Sequence, residues 1–456
     1  MYDLIVIGAG VGGYTAALRA AKEGKKVALI DKADLGGTCL NRGCIPTKYL
    51  IHAGKQYHAC MDAIIKQEYC GEISVNYEKI LNDMKQKILK LTNGIQALLV
   101  SKNVDFIRGN AYLKKGKIVV IDSEKELRAD NIFIATGSEP ALPNIPGIEL
   151  KQVYDTDNIF QKMKKLPASL LIIGAGVVGM EMAFLFNNLG VKVSVIECRN
   201  HLLGSMDLDV ENYLRRSLQK SGIKYYLNSY VEEIAEDDGL QVMIKLPEET
   251  VIWPEEAVLI ATGRKSVCRN LNLEEVGIKT DKEAILVDED YQTNVSGIYA
   301  IGDVNGRNML AYAATAQSLI AVGSMLKNQI IKDEAIIPQC IFTEPEIGVV
   351  GLTEEQAKEN NRQIVIGKFL MTANGRSVVE GNEGFIKIIA DKETGIVLGG
   401  ACVCHLATEL ISQLTIAIKN QMTIEQLRQV VFPHPTYTEA VGEAAEMAFK
   451  TSVYMM

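Results

Sequence analysis

The stretch LGGTCLNRGCIPTK, residues 35–48, sets two thiols five residues apart, Cys39 and Cys44, with Lys48 four residues beyond the second. Such a pair could pack as small core residues, hold a metal or cycle between dithiol and disulfide. On an ideal helix, five residues leave two Cα atoms roughly 8–9 Å apart. A disulfide tolerates about 7 Å at most. A bridge therefore requires the chain to leave helical geometry around Asn41, Arg42 and Gly43, and glycine makes that departure less costly. A helix start and a nearby lysine would favour a thiolate at neutral pH. The second candidate is His434, in VVFPHPTYTEAVGEAA. A lone histidine between prolines can simply shape a loop. As an acid–base it needs a carboxylate to orient the ring, and Glu439 can supply one. The other histidines, 52, 58, 201 and 405, lack comparable context.

Two further segments point to phosphate. YDLIVIGAGVGGYTAALRAAKEGKKVALIDK and ASLLIIGAGVVGMEMAFLFNNLGVKVSVIEC each read as strand, glycine-rich turn, helix and second strand. Gly8, Gly24 and Asp31 recur as Gly174, Gly190 and Glu197, each 166 residues later. The turns Gly8, Gly10, Gly13 and Gly174, Gly176, Gly179 fit G-x-G-x-x-G. The first glycine permits the tight turn, the second admits a pyrophosphate, and the third lets helix and strand pack closely. Phosphate then meets free N–H groups at the helix N-terminus. Asp31 and Glu197 end the second strands, where an acid takes the adenosine ribose. A carboxylate at Glu197 opposes a 2′-phosphate and favours NAD over NADP, although Arg199 stands two residues on.

Both copies close on a similar phrase, IFIATGSEP and VLIATGRKS, here only 126 residues apart. The first copy is thus 40 residues longer, and the excess falls where the cysteines and a helical stretch from about Tyr77 to Lys102 lie. The redox candidates are an addition to one of two nucleotide-binding repeats. The segment TNVSGIYAIGDVNGRNMLAYAATAQSLIAVG reads as strand, loop and apolar helix. From about Ile337, strands (EGFIKIIAD, GIVLGGACV) mix with helices, as in an α+β domain.

Composition excludes some classes. The chain has 456 residues, 48% hydrophobic and 23% charged, with a formal net charge of -8. A nucleic-acid binder would show a basic excess. No apolar run reaches the ~18 residues that span a bilayer, and a core strand begins almost at Met1, so a cytoplasmic location is expected. Nine cysteines, an odd number, form no secreted disulfide framework. Cys402 and Cys404 lie in an apolar strand as small core residues, and no metal site is expected.

Together, GGTCLNRGCIPTK, the two glycine fingerprints, YAIGDV and HPTYTEAVGEA resemble the pyridine nucleotide–disulfide oxidoreductases over essentially the whole chain. The likeness is strongest to members that oxidise dihydrolipoamide. It implies an α/β fold with two Rossmann-like dinucleotide-binding domains, for FAD and NAD, and a C-terminal α+β dimerisation domain. The expected division is 1–145 for FAD and the cysteine motif, 146–267 for NAD, 268–336 returning to the FAD domain, and 337–456 for the interface. The resemblance assigns Cys44 to face the flavin, Cys39 to exchange with substrate, and His434 with Glu439 to move protons. It pairs Lys48 with Glu181 beside the flavin, and counts Glu181 also among the NAD contacts. It adds Gly37, Thr38, Ala111, Thr136, Gly137, Asp303 and Ala311 for FAD, and Val231 and Gly263 for NAD. The implied enzyme is a homodimer in which each His434 serves its partner, passing electrons from lipoyl domains of 2-oxoacid dehydrogenase or glycine-cleavage complexes to NAD. The alternative is a sister reductase, driven by NAD(P)H, of another disulfide or a metal ion. Tyr312 departs from the family pattern, in which His is usual, as does Asp31, where Glu is commoner.

Overall fold

The computed structural model describes residues 1–204, 206–237, 239–327 and 336–452. The end of the expected central segment, 328–335, and the last four residues of the expected interface domain, 453–456, lie outside the described residues. The chain forms two compact units.

The first unit comprises Met1–Asn144, Val153–Leu166 and Leu259–Glu334. Its sheet has strand Tyr2–Ile7 between Val27–Asp31 and Lys125–Ile134, all parallel, in the register Leu4 to Val27 and Ile7 to Ile134. Asp105–Arg108 extends one side in parallel, and Ile298–Ala300 joins Lys125–Ile134 in parallel. Parallel strands covered on both faces must be apolar throughout, and Leu4, Ile5, Val6 and Ile30 are fully buried. Helix Val11–Lys22 packs against helix Ala311–Met325 through small residues. A Cβ on Gly12 would stand 3.5 Å from that of Ala314, and the Ser318 hydroxyl donates to the Gly12 carbonyl at 2.8 Å. The region in which the extra 40 residues fall folds as helices Gly37–Asn41, Cys44–Ile65 and Tyr77–Ser101.

The second unit comprises Ile145–Gln152, Pro167–Val258 and Ala335–Met456. Strands Ser169–Ile173, Lys192–Ile196 and Lys224–Tyr226 are parallel neighbours. Helix Val177–Asn188 follows the first of them and is buried along nearly its whole length. A three-stranded antiparallel sheet, Tyr230–Glu236, Leu240–Lys245 and Thr250–Glu255, follows. The C-terminal part is a five-stranded antiparallel sheet whose inner strand Val397–Cys404 lies between Glu346–Gly351 and Phe385–Asp391. Helices Ala407–Lys419 and Glu439–Ala448 cover it. Cys402 and Cys404 are both fully buried in this core, as their apolar context leads one to expect.

One charged cluster ties this unit together. Lys387, 2% exposed, lies on strand Phe385–Asp391. Its ammonium reaches Asp207 and Asp209, at the head of helix Leu208–Lys220, and Glu354, each at 2.9 Å. Burial would raise the Asp209 carboxyl, but hydrogen bonds from Lys368 and Lys387 outweigh it and hold the group low. Glu354 is held low by Lys358 first and by Lys387. Carboxyls depressed in the native state contribute stability above their unfolded pKa of about 4, which is lost as pH falls through the native values. Lys387→Met should therefore cost about 3 kcal/mol at neutral pH by stranding carboxylates. Urea melts at pH 7 and pH 3 check this: the deficit should shrink at pH 3, where the carboxylates are protonating.

Candidate active site

The cysteine motif is built as the spacing demands. Helix Gly37–Asn41 stops, and helix Cys44–Ile65 begins three residues later. Between them Arg42 takes φ -138°, ψ -21° and Gly43 takes φ -112°, ψ -102°, both outside the helical range. The amides of Arg42 and Gly43 turn back onto the Thr38 carbonyl at 2.9 and 2.7 Å. The Asn41 side chain donates to the carbonyls of Leu35 and Gly37 and clamps the short helix. The break brings the thiols within hydrogen-bonding reach, and both cysteines are in the thiol form here. The Cys39 thiol is pushed up, first by its hydrogen bond with Cys44 and then by burial, while the Lys48 ammonium pulls it down. In the reduced pair, then, Cys39 keeps its proton well past neutral pH. Cys44 opens a 22-residue helix with no side-chain cap, where the dipole favours an anion. Lys48 lies one turn further along that helix.

Both glycine fingerprints fold to the same geometry. Gly8 and Gly174 have φ of 108° and 107°, a left-handed conformation that favours glycine. Gly10 and Gly176 are extended N-caps at φ -70° and -72°, each without a side-chain cap. The first amides of both helices are therefore open to a ligand's oxygens. A Cβ on Gly13 would stand 1.8 Å from the Gly8 carbonyl oxygen, so helix and turn touch there. A Cβ on Gly37 would meet the Gly10 Cα at 2.6 Å, so the cysteine motif rests on the first turn. At Gly137, Gly176 and Gly263 an added Cβ would meet nothing within 4 Å. The two acids also brace their own turns. Asp31 accepts the Ala9 amide at 2.5 Å and the Ala33 amide at 2.8 Å. Glu197 accepts Ala175 at 2.8 Å and Arg199 at 3.0 Å.

The remaining candidates occupy varied settings. Thr136 donates to the Val267 carbonyl at 2.7 Å. Ala311 is the first residue of an uncapped helix, and Ala111 starts a half-buried strand. Gly179 and Val231 are buried in the second unit. So is Glu181, which accepts the Phe342 amide at 3.1 Å. Lys48 and the cysteines belong to the first unit, and Glu181, His434 and Glu439 to the second. Asp303 accepts the Ser138 hydroxyl at 2.5 Å. That serine also accepts from Arg264, whose guanidinium pairs with Asp157 at 2.7 Å, and Asp157 faces Arg42 of the cysteine motif at 3.8 Å. Sequence reading misses this chain of contacts, since bonded partners in it lie up to 165 residues apart. His434 and Glu439 do come together: the imidazole Nδ1 and Glu439 Oε1 are 2.7 Å apart, and Oε2 accepts the Thr436 amide at 2.8 Å. Three-quarters of the His434 side chain is exposed. Among the described residues no group of three or more His, Cys, Asp or Glu could hold a metal, and no helix is long and apolar enough to cross a membrane.

A broken helix presenting two thiols and resting on the first of two nucleotide-binding turns fits the class of flavoprotein disulfide oxidoreductases. The chain belongs to the pyridine nucleotide-disulphide oxidoreductase family, whose profile matches residues 2–318, with the family's dimerisation domain at 337–445. It is 35% identical over 463 residues to a dihydrolipoyl dehydrogenase of Bacillus subtilis, covering 97% of each chain. Among solved structures it is similar to the HOCl-induced flavoprotein disulfide reductase RclA of Escherichia coli, with a TM-score of 0.89, 29% identity, and 98% and 100% of the two chains covered. It is also similar to LpdA of Mycobacterium tuberculosis, with a TM-score of 0.89, 27% identity, and 97% and 99% covered. Its cofactors are FAD and NAD(H), and the uncapped turns, with their open space and bracing acids, fit two dinucleotides.

The contrast between Gly13 and Gly176 is testable. Gly13→Ala should cost about 1–3 kcal/mol by overpacking and yield protein deficient in flavin. Gly176→Ala should keep its flavin and melting temperature while binding NAD severalfold more weakly. Absorbance spectra, thermal melts and NAD titration check both.

Proposed function

We propose that the chain oxidises dihydrolipoamide to lipoamide and reduces NAD to NADH through a Cys39–Cys44 redox disulfide. The supporting observation is full-length likeness to dihydrolipoyl dehydrogenase joined to a helix break that brings the two thiols together. Glu197 favours NAD as the acceptor. In this reading His434, its Nδ1–H donated to Glu439, takes a proton from the substrate dithiol at Nε2. The substrate thiolate attacks Cys39 Sγ, breaking the Cys39–Cys44 bond, and Cys44 leaves as thiolate. The second substrate thiol attacks the substrate sulfur bound to Cys39 while its proton passes to the departing Cys39 sulfur. That step closes the cyclic disulfide and releases Cys39 as a thiol, leaving the first proton on His434. Lys48 and the helix N-terminus stabilise the Cys44 anion. Asp31, Gly10, Gly37, Asp303 and Ala311 would hold FAD, which when bound relays two electrons from the dithiol to NAD. We take the active form to be a homodimer, each C-terminal domain lending His434 to its partner, with lipoyl domains as substrate carriers.

The likeness to RclA favours a second reading, an NAD(P)H-driven reductase of another disulfide or a metal ion. Steady-state rates with dihydrolipoamide, other dithiols and disulfides, and Cu(II), each with NAD(H) and NADP(H), separate the two. The first reading expects dihydrolipoamide with NAD to exceed every other combination. His434→Gln should lower dithiol turnover by about a hundredfold or more while flavin content stays unchanged. Cys44→Ser should abolish the long-wavelength absorption of the two-electron-reduced enzyme.

A further inference from the structure

The loop carrying His434 is held by a polar strut with no part in the steps above. Tyr437, three residues on, is 6% exposed. Its hydroxyl donates to Glu380 Oε2 at 2.7 Å and accepts from Asn382 Nδ2 at 2.6 Å. Glu380 is also ion-paired with Arg376. Asn374, buried on the same segment, donates from Nδ2 to the Thr436 carbonyl at 2.9 Å. A Cβ on Gly375 would lie 3.8 Å from His434 Cε1, so the segment runs beside the imidazole as well as under the loop. The His405 ring packs against Tyr437, with centroids 5.5 Å apart and planes tilted by 57°.

Charge state strengthens the strut. Glu380 is held below the usual carboxylate range, first by the Tyr437 hydroxyl, with Arg376 adding to it. The phenol is pushed up to about 12 by burial and then by Glu380. Across the physiological range the donor stays protonated and the acceptor ionised, giving a charge-assisted hydrogen bond. The bond matters because of how Glu439 works. One of its oxygens holds His434 and the other holds the Thr436 amide. The imidazole is thus oriented only as well as the backbone at 436–438 is fixed, and Tyr437 is the buried anchor of that backbone.

We infer that Tyr437, anchored by Glu380, is a positioning residue that sets the geometry of His434 toward the substrate dithiol. The inference rests on reading His434 as the acid–base. Tyr437→Phe removes the hydroxyl and keeps the ring. It should leave flavin content and melting temperature near wild type and lower kcat about tenfold, with KM little changed. Glu380→Ala should reproduce these effects. Glu380→Gln, which keeps an acceptor, should retain at least about half of the wild-type rate. The double variant Tyr437→Phe/Glu380→Ala should be no worse than the poorer single one. Wild-type kcat in Tyr437→Phe would overturn the strut, as would additive losses in the double variant. If His434→Gln collapses turnover while Tyr437→Phe does not, the strut alone falls. If His434→Gln keeps half its activity, the acid–base reading falls and takes the strut with it.

Discussion

Two sulfur atoms five residues apart cannot meet along an unbroken helix, and the rest of the first unit is arranged around that constraint. The helix must stop at Asn41 and restart at Cys44. The two residues between are held by paired amides on the Thr38 carbonyl and by the Asn41 clamp. Breaking a helix exposes backbone donors, and here that liability becomes an asset. The new helix begins at a thiol, so the positive end of its dipole lies at the residue that has to carry negative charge. The near-contact of Gly37 with Gly10 then seats the whole motif on a nucleotide turn.

The two nucleotide turns show how far a physical requirement can fix backbone geometry. Their turns share Gly-Ala-Gly-Val and a glycine two residues on while the helices that follow diverge, and the leading φ values differ by a single degree. The third glycine is dictated by helix-to-turn contact, and the second by space kept for a ligand. The bracing role of Asp31 and Glu197 toward their own turns adds a second demand on those acids beyond ribose recognition.

Much of this was legible in the sequence, for a physical reason. The repeat, the glycine turns, the cysteine spacing and the pairing of His434 with Glu439 are all local: each is a pattern within a few tens of residues, set by helix rise, turn sterics or side-chain reach. What escaped is non-local. Nothing in the order of residues announces that Tyr437 would meet Glu380, that Arg264 would bridge Ser138 and Asp157, or that Lys387 would find Asp207. Those pairings depend on sheet register and domain closure. The hairpin strands at 230–255 were likewise unmarked, because alternation there is shallow and exposed.

The Lys387 cluster bears on how this protein could have been assembled. Glycine-turn folds are commonly pictured as portable cassettes, joined and exchanged as independent pieces. Here the helix that follows the second cassette begins with acids whose counter-charge lies on a strand nearly 180 residues downstream. Cut out of its chain, that cassette would carry orphaned negative charge into a surface shaped to be covered. The nucleotide fold is ancient and general, but this copy has given up its autonomy to the domain beside it.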